Sequence, residues 1–152
     1  MAKTLADLLG PKSVLVPLKT ATLADAVSQL VGALPLDAPE DRAALKAAVL
    51  AREAAGSTGI GAGVAIPHAR WAKALRPLMA AGLSERPIDF KSADGRPVSL
   101  VFLLAVPIAD YAAHLKALAA VSRLAADKTL LRRLLKAPSA EALYGLLAGA
   151  PL

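Results

Sequence analysis

Gly56-Ser-Thr-Gly-Ile-Gly-Ala-Gly-Val-Ala-Ile-Pro-His-Ala-Arg70 is the stretch on which the fold turns. Its first half is punctuated by glycine, and Val64-Ala-Ile66 then reads as a short apolar strand that Pro67-His68-Ala-Arg70 leaves. Upstream, Pro39-Glu-Asp opens a helix with proline and acids in the first turn, and Gly56 ends it after about Ala55. Downstream, Leu75 to Leu83 reads as a strand and Asp94-Gly95 as a turn. Pro97 to Val106 is a continuous apolar run, the pattern of a strand buried on both faces.

The flanks repeat the alternation. Thr4-Leu-Ala-Asp7 resembles a capping box, ended by Gly10-Pro11, and Val14-Leu-Val16 reads as a short strand closed by Pro17. Thr22-Leu-Ala-Asp25 starts a helix in which Leu23, Val27, Leu30, Val31 and Leu34 share one face, stopped by Pro35. Asp110 caps a helix with Leu115, Leu118, Val121 and Leu124 inside, a further helical run spans Lys128 to Lys136, and Ser139 starts the last helix. Helices at both ends and between strands call for one α/β domain over residues 1–152, a central sheet covered by helices.

Composition narrows the classes. The chain has 152 residues, enough for one domain with its own core, and no cysteine, which excludes disulfide scaffolds, thiolate metal sites and cysteine nucleophiles. The longest apolar run, Leu100 to Ala109, contains Pro107 and falls short of the roughly 20 residues of a spanning helix. No signal-peptide core precedes Gly10-Pro11, so a cytoplasmic protein is expected. The net charge of +6 permits acidic partners or nucleic acid, but aromatic residues are only 3%, too few to supply stacking platforms for single strands.

There are only two histidines, His68 and His114. If Val64–Ile66 and Val98–Val106 are parallel neighbours, both strands deliver a histidine to the carboxyl edge of the sheet, where α/β proteins place ligands. His114 falls in the first turn of its helix, whose free N–H groups suit an anion. Arg52 shares a face with Leu45 and Val49 and so points inward; as a cation at a helix C-terminus it also has a purely structural reading. Ser57 and Thr58 bring hydroxyls, and the glycines beside them, Gly59 included, leave amides accessible. These residues together make a phosphate site, and the absence of any Asp or Glu between Ala54 and Leu83 favours an anion over a metal. No cofactor is implied. Lys128, Arg132, Arg133 and Lys136 read as a solvated face, and Trp71 as surface packing. Dinucleotide-binding, Walker A, zinc-protease and nucleophile-elbow motifs are all missing.

The stretch from Gly56 to Arg70 resembles the active-site signature of the type-2 enzyme IIA domains of the bacterial phosphotransferase system, the fructose/mannitol and nitrogen-regulatory class. The resemblance extends over Leu8–Val16, Pro87–Phe90, Asp94–Leu104, His114–Leu118 and Glu141–Tyr144. It implies a mixed sheet between helix layers, and phosphorylation of His68 at Nε2 by an HPr-like phosphohistidine carrier protein, with His114 and Arg52 in the same pocket. The residues by themselves leave the choice of imidazole nitrogen open. The chain ends at Leu152 without a transporter segment and its opening resembles the nitrogen-type proteins, so a regulatory role is expected. The alternatives are a sugar-transport IIA that passes phosphate to a IIB domain, and a non-phosphorylated adaptor or nucleic-acid-binding module.

Overall fold

The computed structural model describes residues 2–152. Six strands form one mixed sheet: β1 (Leu9–Leu18), β2 (Gly59–Gly61), β3 (Val64–Ala65), β4 (His68–Trp71), β5 (Leu78–Ile88) and β6 (Val98–Pro107). The order is β1-β5-β6-β3-β2, and β4 pairs with β6 further along the edge that β3 begins. β5 is antiparallel to β6, β2 is antiparallel to β3, and β1–β5, β3–β6 and β4–β6 are parallel. The helices are α1 (Leu23–Gly32), α2 (Pro39–Ala55), α3 (Tyr111–Ala126), α4 (Lys128–Leu135) and α5 (Ala140–Leu147), preceded by a 3₁₀ turn at Leu5–Asp7.

β6 shows why the chain makes three layers. Leu100, Phe102, Leu104 and Val106 pack with α3, α4 and α5, while Val101, Leu103 and Ala105 pack with α1 and α2. A strand alternates its side chains between two faces, so an unbroken apolar run demands cover on both. On β5, Met79, Ala81 and Leu83 take the first face and Leu78 and Ala80 the second. On β4, Ala69 and Trp71 lie in the α1/α2 core, so His68 and Arg70 project toward the α3 side.

Four expectations need correction. The first strand does not begin at Val14 and close at Pro17: β1 runs through Gly10, Pro11 and Pro17. It is the edge strand, where prolines can leave their missing N–H on the unpaired side, and its pairing with β5 is broken by two register shifts. The segment after Pro67 does not leave the sheet; it forms β4. Trp71 is not at the surface but 9% exposed, and it belongs to the core under α1 and α2. The strand expected from Leu75 starts at Leu78, and Leu75 stands almost free in solvent at 97% exposure. The helix expectations hold within a few residues. Asp7 accepts from the N–H groups of Lys3 and Thr4 at 2.7 and 3.0 Å, and Thr22, Asp110, Asp127 and Ser139 each cap a helix with a side-chain oxygen.

Candidate active site

The parallel pairing of β3 and β4 with β6 does what the sequence required of it. His68 lies opposite Leu104, and the chain leaving β6 at Pro107 turns directly into α3 through the Asp110 cap. His68 and His114 therefore meet at the carboxyl edge of the sheet, with ring centroids 4.9 Å apart and planes at 79°. The walls of the cleft are Ala48 and Arg52 from α2, His68, Ala69 and Arg70 from β4, and Tyr111, His114 and Leu118 from α3.

His68 is buried at 7% exposure, and its Nδ1 lies 2.8 Å from the carbonyl oxygen of Ile66. A carbonyl only accepts, so Nδ1 carries the hydrogen and donates it. In the neutral ring the lone pair is then on Nε2, which makes no hydrogen bond among the described residues. The Ile66 carbonyl is available because Ile66 and Pro67 interrupt the edge between β3 and β4.

Both imidazoles are held below the usual histidine pKa. For His68 the main cause is burial; the Ile66 hydrogen bond works against it, Arg52 lowers it further and Glu53 raises it. For His114 burial again comes first, followed by the charges of His68, Arg70 and Arg52. His114 Nδ1 is shut off from solvent with no partner, a poor place for an imidazolium, both of whose N–H groups need acceptors. Each ring is thus kept neutral near pH 7, the form in which histidine is a nucleophile.

Arg52 is exposed at the lip of the cleft, and its Nη1 donates to the Gly56 carbonyl at 2.7 Å. The contact is the one a cation at a helix C-terminus makes, and Arg52 also walls the cleft. It does not point into the core as its helical face suggested.

Ser57, Thr58 and Gly59 are placed differently from the phosphate contacts the sequence suggested. The Ser57 hydroxyl donates to the Phe90 carbonyl and accepts from the Gly59 N–H at 3.0 Å. Thr58 gives its N–H to a Glu53 oxygen at 2.7 Å and its hydroxyl to the other. None of the three walls the histidine cleft. They brace the glycine loop instead, with these hydroxyl and amide groups bonded to partners within the protein. Gly59 itself has no room for a side chain: a Cβ there would sit 2.0 Å from the Ser92 hydroxyl oxygen. The start of α3 is also occupied, with the Ala113 N–H on the Asp110 carboxylate at 3.0 Å and the His114 N–H on the Asp110 carbonyl at 3.3 Å.

Sequence reasoning missed Glu53, Arg70 and Tyr111. Glu53 anchors Thr58, while Tyr111 stacks on His114 with centroids 5.9 Å apart and Arg70 lies over the Tyr111 ring at 5.7 Å. Once β4 is known to be a strand, the signal for Arg70 is its two-residue spacing from His68. Tyr111 precedes His114 by three positions, one helical turn. Among the described residues no cluster of three or more His, Asp or Glu groups is placed to hold a metal ion.

The chain is thus a mixed sheet between two helix layers, with two imidazoles and an arginine walling one cleft at its carboxyl edge. Residues 7–149 match the family described as phosphoenolpyruvate-dependent sugar phosphotransferase system, EIIA 2, and the chain belongs to that family. It is 40% identical over 146 residues to a nitrogen regulatory protein of Bradyrhizobium diazoefficiens, covering 95% of each chain. It is 41% identical over 107 residues to the fructose-specific EIIABC component of Bacillus subtilis, where the match spans 70% of this chain and 17% of that longer protein. Among solved structures, the nitrogen regulatory protein IIA-Ntr of Neisseria meningitidis superimposes with a TM-score of 0.81 at 28% identity, covering 95% of this chain and 99% of that one. The mannitol IIA of Escherichia coli shares the fold, with a TM-score of 0.74 over 91% and 98% of the two chains at 21% identity. No helix among the described residues is long and apolar enough to cross a membrane.

Proposed function

We propose that this phosphotransferase-system component is a phosphoryl carrier that accepts phosphate from an HPr-like phosphohistidine protein on Nε2 of His68 and reports its phosphorylation state to regulatory targets in the cytoplasm. The observation that carries the reading is the Nδ1–H bond to Ile66, which leaves the Nε2 lone pair as the only free nucleophile on a ring kept neutral by burial.

Transfer is a displacement between two nitrogens. The His68 Nε2 lone pair attacks phosphorus, the N–P bond of the donor breaks, and its electron pair returns to the donor imidazole. As positive charge develops on the His68 ring, the Nδ1–H···O=C bond to Ile66 strengthens, and no proton need leave. Charge on the transferring group spreads over its three equatorial oxygens, where positioning and electrostatics do most of the work. Arg52 at the lip and the free ring edge of His114 are the groups set to meet those oxygens. Loss of one such donor commonly costs about 100-fold or more.

The test is incubation with phosphoenolpyruvate, enzyme I and an HPr-like carrier, read by intact mass. Wild type should gain one acid-labile phosphoryl group and His68→Ala none; gain by the variant would overturn the assignment. Arg52→Ala and His114→Ala should fold and accept phosphate slowly. The match to the fructose-specific protein supports one rival, a sugar-transport role. Rapid transfer onward to a fructose- or mannitol-type IIB domain, with no partner distinguishing the two forms, would favour it.

A further inference from the structure

Arg52 and Arg70 both wall the cleft, yet their commitments differ. Arg52 is tied to the Gly56 carbonyl. Among the described residues the Arg70 side chain makes no hydrogen bond or ion pair; the one ion pair joins Lys73 to Asp41. What holds Arg70 is the face of Tyr111, with its guanidinium carbon 5.7 Å from the ring centre. Tyr111 is itself 56% exposed and stacked on His114, whose ring meets that of His68 edge-on. Cation, phenol and two imidazoles form one continuous row ending at the candidate acceptor.

We propose that Arg70 is a second phosphate-binding cation that rests on Tyr111 when His68 is unmodified and turns onto the phosphoryl group when it is present. Three observations support this. First, reach: His68 and Arg70 are two residues apart on β4 and project from the same face, with Cα atoms about 6.6 Å apart at strand spacing, within an arginine's length of a group on Nε2. Second, competition: cation–π contact at an exposed ring is weak, whereas charge-assisted bidentate bonds to a group of nearly two negative charges are stronger. Third, complementarity: Arg52 has spent one donor on the backbone, and Arg70 brings a full planar fork.

The movement has a surface consequence. When Arg70 leaves, an exposed aromatic ring loses its cationic cover beside the site, while the cleft acquires negative charge. A partner that packs an apolar or cationic side chain on Tyr111 would therefore sense the state of His68 without touching it. This rests on the phosphoryl-carrier reading, and the experiment separates the two.

Wild type, Arg70→Gln, Arg70→Lys and Tyr111→Leu are phosphorylated by the same phosphohistidine carrier. The rate of gain, the half-life of the phosphohistidine and the Arg70 side-chain Nε–H signal are then followed. Arg70→Gln should slow gain by about tenfold or more, since it removes one charged contact of several. Arg70→Lys should recover part of the loss, keeping the charge without the fork. Tyr111→Leu should leave Arg70 able to bind phosphate, so its rate should stay well above that of Arg70→Gln. In wild type the Arg70 Nε–H signal should shift on phosphorylation and return on hydrolysis. Equal rates and half-lives for wild type and Arg70→Gln, or an Arg70 signal that ignores phosphorylation, would overturn the proposal. Failure of wild type to accept any phosphate would instead overturn the carrier reading.

Discussion

One edge of the sheet is β1, the other is shared by β2 and β4, and β1 and β4 are built for opposite purposes. β1 runs for ten residues with Pro11, Lys12 and Pro17 exposed and two register breaks, features that deter pairing with another strand. β4 is four residues long and lies against the end of α2 and the start of α3. Its outward row carries His68 and Arg70 in place of prolines. At β1 the irregular backbone protects the molecule. At β4 the irregularity, the Ile66–Pro67 break, frees a carbonyl that accepts from Nδ1 of His68 and so fixes the tautomer of that ring.

The largest effect expected from this contrast separates chemistry from stability. His68→Ala should abolish phosphate gain and leave the fold, whereas Leu18→Ala, at the buried end of β1, should cost about 2–5 kcal/mol and leave transfer per folded molecule unchanged. Denaturant unfolding and intact mass on both variants check the pair. Gly82→Ala sharpens the comparison, because its Cβ would fall 2.4 Å from Leu18 Cδ1 and force β1 away from β5. About 1–3 kcal/mol of destabilisation is expected, again with no effect on acceptance by the folded protein. A loss of transfer without a loss of stability would break the separation of the two edges.

The loop behind β4 gives a smaller, reversible effect. Gly59→Ala should destabilise through its clash with Ser92, and Ser92→Gly in the same chain should restore most of the loss, since it removes the atoms at 2.0 and 2.9 Å. A double-mutant cycle measures the coupling, and additive effects would show that the two residues do not meet.

Smallest is the pH response of the cleft. The folded pKa of His68 lies below its unfolded value near 6.5, so at pH values between the two the unfolded chain binds more protons than the folded one. Stability from this group is complete above about pH 6.5 and declines as pH falls toward the folded pKa. The change in unfolding free energy from pH 7.5 to 5.5 should be smaller in His68→Ala than in wild type. An NMR titration of His68 with a midpoint above 6.5 would contradict the sign.

Much of this was legible in the chain. The caps, the helix stops and the doubly buried run of β6 are local signals, and Asp110, Ser139 and Leu100–Val106 carry them without help. The conditional placement of His68 and His114 at one sheet edge holds because β3 and β4 do run parallel to β6. β1 and β4 were not legible as wholes. Proline is a breaker in local terms, and only the position of a strand at an edge makes it tolerable. The roles of Ser57 and Thr58 were hidden for a related reason: their partners, Phe90 and Glu53, are set by tertiary packing. Arg52 looked inward by helical period, but its position in the last turn of α2 lets its tip reach the Gly56 carbonyl.

The central claim is that the Ile66 hydrogen bond leaves Nε2 of His68 as the acceptor. Long-range ¹H–¹⁵N correlation of the imidazoles, recorded before and after phosphorylation, tests it directly. Before, the His68 ring should be the Nδ1–H tautomer; after, phosphorus coupling should appear on Nε2 of His68 and nowhere else, with Nδ1 still protonated. A phosphoryl group on Nδ1, or on either nitrogen of His114, would contradict the account.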